Sequence, residues 1–329
     1  MINVAINGFG RIGRMVLRAG WKDKSINFVA VNDLTDTKTL AHLLKYDSVH
    51  GIFQEKIKHT KDSIIIGNKT IKVYSEKDPE QLPWKNHKVD VVIESTGRFR
   101  TYELAHKHIM AGAKRVILSA TGKEDKIKPY VFGVNQNKMG KTEKIVSNAS
   151  CTTNCLAPLV KVIHEKFGIK QGLMTTVHAY TTSQNILDAP SGDLRRSRAV
   201  AENIIPTTTG AAKAIGKVIP ALAGKMDGIA IRVPIKDGSL VDLTIELNNK
   251  VTAEQINKAV KDASKKMKGI LQYSEEELVS TDIIGNPHSC IFDAKSTMVH
   301  NSNFVKLLAW YDNEWGYSNR MVDMIKLMK

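Results

Sequence analysis

The sequence predicts an α/β protein: a doubly wound domain of the Rossmann type, followed by an α+β domain with a mixed sheet. Three observations predict it. Apolar strand-like runs alternate with amphipathic helical stretches through the first half of the chain. A glycine-rich turn directly follows the first of those strands. Beyond Cys151 the pattern changes, and Ser239–Leu247 alternates with period two, as a sheet covered on one face does.

In order, Val4-Ala5-Ile6 reads as a strand, Arg11–Ala19 as a helix and Phe28–Val31 as a second strand. Thr37–Leu44 reads as a helix with Leu40, Leu43 and Leu44 as its apolar positions. Ile64–Val73 predicts a hairpin around Gly67-Asn68. Val89–Glu94 is a buried strand, Tyr102–Ala111 a helix and Val116–Ser119 a further strand. Lys144-Ile145-Val146 ends in a turn that opens a helix from Asn154 to about Phe167. Met174–Val177 is a strand carrying His178 at its end. Ala253–Met267 is amphipathic, with Ile256, Val260 and Met267 on one side. Phe304–Tyr311 is a strand, and Ser318–Met328 has apolar residues at helical spacing.

With 329 residues, 42% hydrophobic and 25% charged, the composition is that of a globular chain of about two domains. No apolar run approaches the ~18 residues of a membrane span, and Met1–Asn7 reads as a strand rather than a signal peptide. Three cysteines argue against a disulfide framework and for a reducing compartment, so a cytoplasmic location is expected. The net charge of +15 is scattered along the chain, as a solvated surface with a general attraction for anionic metabolites would be. Zinc-finger, RNA-binding and basic-zipper patterns are absent, so nucleic acid is expected only as a secondary partner. No metal is expected.

Gly8-Phe9-Gly10-Arg11-Ile12-Gly13 matches GxGxxG, follows a strand, opens a helix, and is followed about 20 positions on by Asp33 at the end of the second strand. Gly8 suits the tight turn, Gly10 the close approach of a pyrophosphate, and Gly13 the packing of helix on strand. A diphosphate would take N–H bonds from Arg11 and Ile12 at the helix start. Asp33 would accept from the adenosine ribose hydroxyls and repel a 2′-phosphate, so NAD is the expected cofactor.

The run Ser147-Asn148-Ala149-Ser150-Cys151-Thr152-Thr153-Asn154 places a cysteine where a strand turns into a helix. Unpaired N–H groups of a first helical turn favour thiolate over thiol, and Ser and Thr are suited to cap it. Cys151 is therefore a candidate nucleophile. Beside a nicotinamide, a thiolate adds to an aldehyde to give a thiohemiacetal, which loses hydride to leave a thioester. A base must accept the hydroxyl proton, and His178 is the candidate. A cysteine hydrolase is the rival reading of this pair, but it leaves the glycine turn and Asp33 without a purpose.

Ser-Asn-Ala-Ser-Cys-Thr-Thr-Asn-Cys (147–155) resembles the active-site motif of the phosphorying NAD-dependent glyceraldehyde-3-phosphate dehydrogenases, that is, the phosphorylating members of that family. The likeness continues through 7–13, 31–36, 94–97, 176–181, 204–213 and 310–314, in order along the whole chain. It implies oxidation of glyceraldehyde 3-phosphate with inorganic phosphate to 1,3-bisphosphoglycerate. Cys151 would be the nucleophile and His178 its activating base. Thr181 and Arg232 match a site for the substrate phosphate. Ser150, Thr152, Thr209, Gly210 and Arg196 match a site for inorganic phosphate, and arginine suits both because its planar fork pairs phosphate oxygens.

Lys77 and Ser119 match adenine-side and nicotinamide-side cofactor contacts, and Asn313 the residue that holds the carboxamide. The resemblance further implies an NAD-binding domain over 1–149 completed by a helix at 314–329, a catalytic domain over 150–313, and a homotetramer with the loop near 180–203 at an interface. Two positions depart from the family pattern: Thr121 stands where a proline is usual, and Ser183 where many relatives carry an acid. The first frees a turn but keeps Ser119; the second bears on phosphate affinity. Erythrose-4-phosphate dehydrogenase, which shares this architecture and releases its acyl group to water, is the nearest alternative.

Overall fold

Val4, Ala5 and Ile6 have no exposed surface, because their strand, β1 (Ile2–Asn7), lies inside an eight-stranded sheet. The computed structural model describes residues 1–329 and falls into two units. The first comprises Met1–Tyr130, Lys138–Ala149 and Ser318–Lys329; the second comprises Val131–Asn137 and Ser150–Tyr317.

In the first unit, β1 is followed by α1 (Arg11–Gly20), β2 (Ile26–Asn32) and α2 (Thr37–Lys45). There follow β3 (Ile57–His59), β4 (Ser63–Ile66), β5 (Lys69–Tyr74), β6 (Val91–Glu94), α3 (Tyr102–Met110), β7 (Arg115–Leu118) and β8 (Ile145–Ser147). The strand order is β3-β4-β5-β2-β1-β6-β7-β8. All neighbours from β5 to β8 pair in parallel, while β3 and β4 form the antiparallel edge. The chain leaves β1 for β2 on one side and reaches β6 on the other, so the end of β1 is the crevice of a doubly wound sheet. Strands buried on both faces need continuous apolar sequence, and β6 (Val91-Val92-Ile93-Glu94) is buried at every position.

The helices are anchored by polar contacts that the hydrophobic pattern does not reveal. Asp36 caps α2 by accepting from Thr39 N at 2.9 Å. At its other end Arg18 of α1 donates through Nη2 to Leu44 O at 2.7 Å, so a cation satisfies the last carbonyls. Leu43, expected on the apolar side of this helix, is exposed.

The second unit holds α4 (Cys151–Phe167), β9 (Ile169–Ala179), β10 (Ile205–Thr208), α5 (Ala211–Val218), β11 (Met226–Val233) and β12 (Ser239–Leu247). It continues with α6 (Ala253–Lys266), β13 (Leu271–Ser274), α7 (Ser280–Ile283), β14 (Cys290–His300) and β15 (Phe304–Tyr311). Its sheet runs β10-β11-β9-β12-β15-β14-β13 and is mixed: β11 is parallel to β9, β13 is parallel to β14, and the other pairs are antiparallel. Alternate residues of β12 are buried, and α4 packs against β12, β14 and β15.

Two helices begin earlier than the sequence pattern predicts. The helix expected from Asn154 starts at Cys151, because Ser150 rather than a later residue supplies the cap. The last helix, α8, runs Trp315–Leu327 rather than from Ser318. Within the first unit it lies near α1, where Lys326 Nζ is 3.4 Å from Asp23 Oδ2.

Candidate active site and dinucleotide site

The glycine turn at the end of β1 shows three different uses of a missing side chain. Gly8 has φ +89°, and a Cβ there would lie 2.7 Å from Thr96 N. A Cβ on Gly13 would lie 2.3 Å from Gly8 O. Gly10 is different: a Cβ would meet nothing within 4 Å. Nothing in the chain requires glycine at Gly10, so the space above it is what the residue preserves. Gly10 is also the N-cap of α1 and makes no side-chain cap. An uncapped helix start under open space is what a diphosphate fits.

Asp33 lies beside this turn, accepting from Phe9 N at 2.8 Å and Thr35 N at 3.0 Å. The Arg11 side chain pairs with Asp47. Ser119 is half-buried just past β7, held by Ser119 N to Glu94 O at 2.9 Å. Lys77 is exposed just after Glu76, whose backbone is pinned to Asn32 in both directions at 2.8 and 2.9 Å.

Beneath the turn is a buried polar chain that the sequence reading missed. Asn32 Nδ2 donates to Asn7 Oδ1 at 2.7 Å, and Asn7 Nδ2 donates to Glu94 Oε2 at 2.6 Å. His108 Nε2 lies 3.0 Å from the same carboxylate oxygen, and Trp84 Nε1 donates to His108 Nδ1 at 3.0 Å. The available signal was a polar residue at the last position of three apolar strands, Asn7, Asn32 and Glu94.

The candidate nucleophile is set up by a sharp turn after β8. Ala149, a non-glycine residue, takes φ +55°, a strained conformation that turns the chain from strand to helix. Ser150 then caps α4, its Oγ accepting from Thr153 N at 3.1 Å. Cys151 follows as the first helical residue, and its Sγ lies 3.4 Å from His178 Nε2. His178 is 3% exposed, near the end of β9. Register pairs it with Arg232 on β11, so the guanidinium lies directly beside the imidazole.

Ala179 O lies 2.7 Å from His178 Nδ1 and 2.8 Å from Arg232 Nη1. A carbonyl only accepts and a guanidinium only donates, so Ala179 O and Arg232 Nη1, which is also 2.8 Å from Nδ1, favour opposite tautomers of the ring. The guanidinium also acts on the imidazole through its charge. Tyr311 stands edge-on to the imidazole at 5.8 Å, and its hydroxyl bridges Thr152 Oγ1 and Thr176 Oγ1 at 2.8 Å each. Thus α4 and β9 are pinned to one phenol, and Tyr311 and Thr176 join the residues that sequence reasoning had not assigned.

Electrostatics correct one expectation. The helix start predicts a thiol with lowered pKa, but the surrounding protein raises that of Cys151. Desolvation is the larger cause, opposed by the Arg232 charge and by hydrogen bonds from Thr152. His178 is pushed down to about 3, by burial first and then by Arg232, against the raising effect of the Ala179 carbonyl. Both shifts favour the neutral members of the pair, thiol and imidazole.

The remaining candidates divide. Arg232 is half-buried, and its Nε has no hydrogen-bond partner, which suits an incoming anion. Arg196 donates through Nε to Thr207 Oγ1 at 2.7 Å and through Nη2 to Thr208 O at 3.1 Å. This brings it to the strand that ends just before Thr209 and Gly210. Thr209 Oγ1 accepts from Ala211 N at 3.2 Å, and Gly210 starts α5 without a side-chain cap. Arg196 is also among the charges that lower the Arg232 pKa, so two cations repel until an anion arrives. Thr181 is held in its own turn, with Oγ1 2.9 Å from Ser183 Oγ. The Thr152 hydroxyl lies 2.8 Å from the Tyr311 hydroxyl, and its side chain and backbone N–H both also hydrogen-bond to the Cys151 sulfur. Asn313 Oδ1 accepts from Ser239 Oγ at 2.6 Å, which leaves Nδ2 to donate.

Comparison with known proteins places both sites in one family. Residues 2–102 match the family model described as glyceraldehyde 3-phosphate dehydrogenase, NAD binding domain, and residues 150–313 match the corresponding C-terminal domain. The chain is 53% identical over 327 residues to glyceraldehyde-3-phosphate dehydrogenase 2 of Bacillus subtilis, covering 99% of this chain and 96% of the relative. Identity to glyceraldehyde-3-phosphate dehydrogenase of Streptomyces coelicolor is 56% over 327 residues, covering 98% and 97%. The enzyme of that name from Geobacillus stearothermophilus is 56% identical over 325 residues, with the same coverage of each chain, 98% and 97%.

Proposed function

Because the chain belongs to the glyceraldehyde-3-phosphate dehydrogenase family, we propose that it oxidises glyceraldehyde 3-phosphate with NAD and inorganic phosphate to 1,3-bisphosphoglycerate. The observation that carries the mechanism is the Cys151 Sγ to His178 Nε2 distance of 3.4 Å. The sulfur attacks the aldehyde carbon, and the thiol proton passes through Nε2 to the carbonyl oxygen, giving a thiohemiacetal. His178 then takes the hydroxyl proton as hydride leaves the carbon, and a thioester remains on Cys151. Bound NAD supplies the hydride acceptor. Gly8, Gly10, Gly13, the N–H groups of Arg11 and Ile12, Asp33, Lys77, Ser119 and Asn313 are the residues proposed to hold it.

Phosphate attacks the thioester carbon, the sulfur departs with the proton held on His178, and the proton of the attacking phosphate goes to solvent. Thr181 and Arg232 are assigned to the substrate phosphate. Ser150, Thr152, Thr209, Gly210 and Arg196 are assigned to inorganic phosphate. An anion beside Arg232 screens the charge that depresses His178, so substrate binding strengthens the base when it is needed.

The exposed face of the second sheet supports the homotetramer. Leu173, Ile229, Met298 and Phe304 are large apolar residues open to solvent, as are Ile186, Leu187 and Leu194 in the loop after β9. Light scattering after gel filtration is expected to give four chain masses. No helix is long and apolar enough to cross a membrane, and three free thiols suit a cytoplasmic location. The decisive assay of activity compares glyceraldehyde 3-phosphate with erythrose 4-phosphate, with and without phosphate. The proposal predicts higher kcat/KM for the triose and NADH formation dependent on phosphate or arsenate; preference for the tetrose with release to water would support the alternative enzyme instead.

A further inference from the structure

We infer that Ser239 is a positioning residue that couples the orientation of the Asn313 amide to that of the His178 imidazole, through residue Ala179. The inference rests on the roles proposed above for Asn313 and His178. Ser239 is the first residue of β12 and has no exposed surface. Register pairs it with Tyr311 of β15, and its neighbour Leu240 with Val177 of β9, so it lies where three strands meet.

Its two hydrogen bonds have fixed directions. Ala179 N–H donates to Ser239 Oγ at 3.1 Å, and the hydroxyl donates to Asn313 Oδ1 at 2.6 Å. An N–H cannot accept and a carbonyl oxygen cannot donate, so the single hydroxyl proton has one place to go. On one side, this commits Asn313 Oδ1 and presents Nδ2 as the donor that a carboxamide oxygen requires. On the other, it fixes Ala179, whose carbonyl oxygen lies 2.7 Å from His178 Nδ1. Asn313 is steadied from its backbone as well, by its N–H to Asp237 Oδ1 at 3.2 Å. One buried hydroxyl thus orients the Asn313 amide and steadies the residue against which the imidazole rests. No other side chain bonds to both residues.

Stopped-flow NADH formation by the full-length protein separates this role from a merely structural one. Ser239→Ala is expected to keep the full burst amplitude per chain while its burst rate constant falls roughly tenfold and the pH profile of that rate moves. Ser239→Thr, which keeps the hydroxyl, is expected to return the rate to within about threefold. If Ser239→Ala does not fold, Ser239→Cys keeps the volume while weakening both bonds, and is expected to show the same slow, full-amplitude burst. NAD affinity should respond non-additively, with Asn313→Ala adding little once Ser239→Ala is present. A burst rate and pH profile unchanged per active chain, or losses that multiply independently, would overturn the inference. Absence of a burst in the unaltered protein would instead overturn the proposed reaction.

Discussion

Two turns in this molecule lead from the end of a parallel strand into a helix, and they are built in opposite ways. At Gly8–Gly13 the chain removes side chains: Gly8 takes φ +89°, Gly10 opens onto space, and α1 starts without a side-chain cap. At Ser147–Cys151 it keeps them: Ala149 takes φ +55° at a strained position, and Ser150 caps the helix itself. The first starts a helix with no side chain over it, as the proposed diphosphate site requires. The second satisfies part of its own helix start and presents a thiol to a neutral histidine. A helix N-terminus alone therefore does not decide the chemistry. What caps it, and what is missing above it, decides.

The largest effect that tests this contrast belongs to the second turn. Cys151→Ser is expected to lower dehydrogenase activity by about 10³-fold or more, while NAD binding, followed by fluorescence titration, changes little. Substantial retained activity would return both turns to binding roles.

Within the first turn, two glycines should separate. Gly10→Ala is expected to weaken NAD about tenfold without lowering Tm, because its Cβ meets nothing in the chain. Gly8→Ala should lower Tm as well, since its Cβ would lie 2.7 Å from Thr96 N and its φ is +89°. Equal effects of the two on Tm would remove the argument that Gly10 preserves space for a ligand.

The electrostatic side of the contrast has a defined sign. His178 has a folded pKa of about 3 against an ordinary 6.5, so between those values the unfolded chain binds a proton that the folded chain refuses. Stability is therefore lost as pH falls from 6.5 towards 3, and His178→Gln should lose less over that window in denaturant titrations. The thiol, raised by desolvation, should be alkylated by iodoacetamide at a rate still climbing above the usual 9.0, and Arg232→Gln should slow it at neutral pH. A plateau well below that value would mean that the helix start outweighs burial. The smallest expected effect is Ser150→Ala, where loss of the cap costs about 1 kcal/mol of stability in a thermal melt.

Much of this was legible in sequence because the signals are local. The glycine turn, Asp33 and the alternation from β1 to β8 lie within short windows, and the helical and strand periods there are clean. The second sheet was less legible. Pro206 lies in β10, Arg232 interrupts the apolar run of β11, and the register of β14 shifts between Asp293 and Met298, so no simple period marks these strands. Arg232 could be assigned from resemblance, but its place beside His178 is a matter of strand register. Tyr311 and Ser239 act through contacts across the sheet that no window contains. The thiol expectation failed for a related reason: sequence shows a helix start but not how much protein surrounds the sulfur.

The central claim is that oxidation leaves an acyl group on Cys151 which only phosphate removes at full rate. Rapid mixing of the protein with NAD and glyceraldehyde 3-phosphate, without phosphate, tests it most directly. The account predicts a burst of NADH equal to the number of active chains, then a stall that ends when inorganic phosphate is added. Continuous NADH formation at the full rate without phosphate would contradict it.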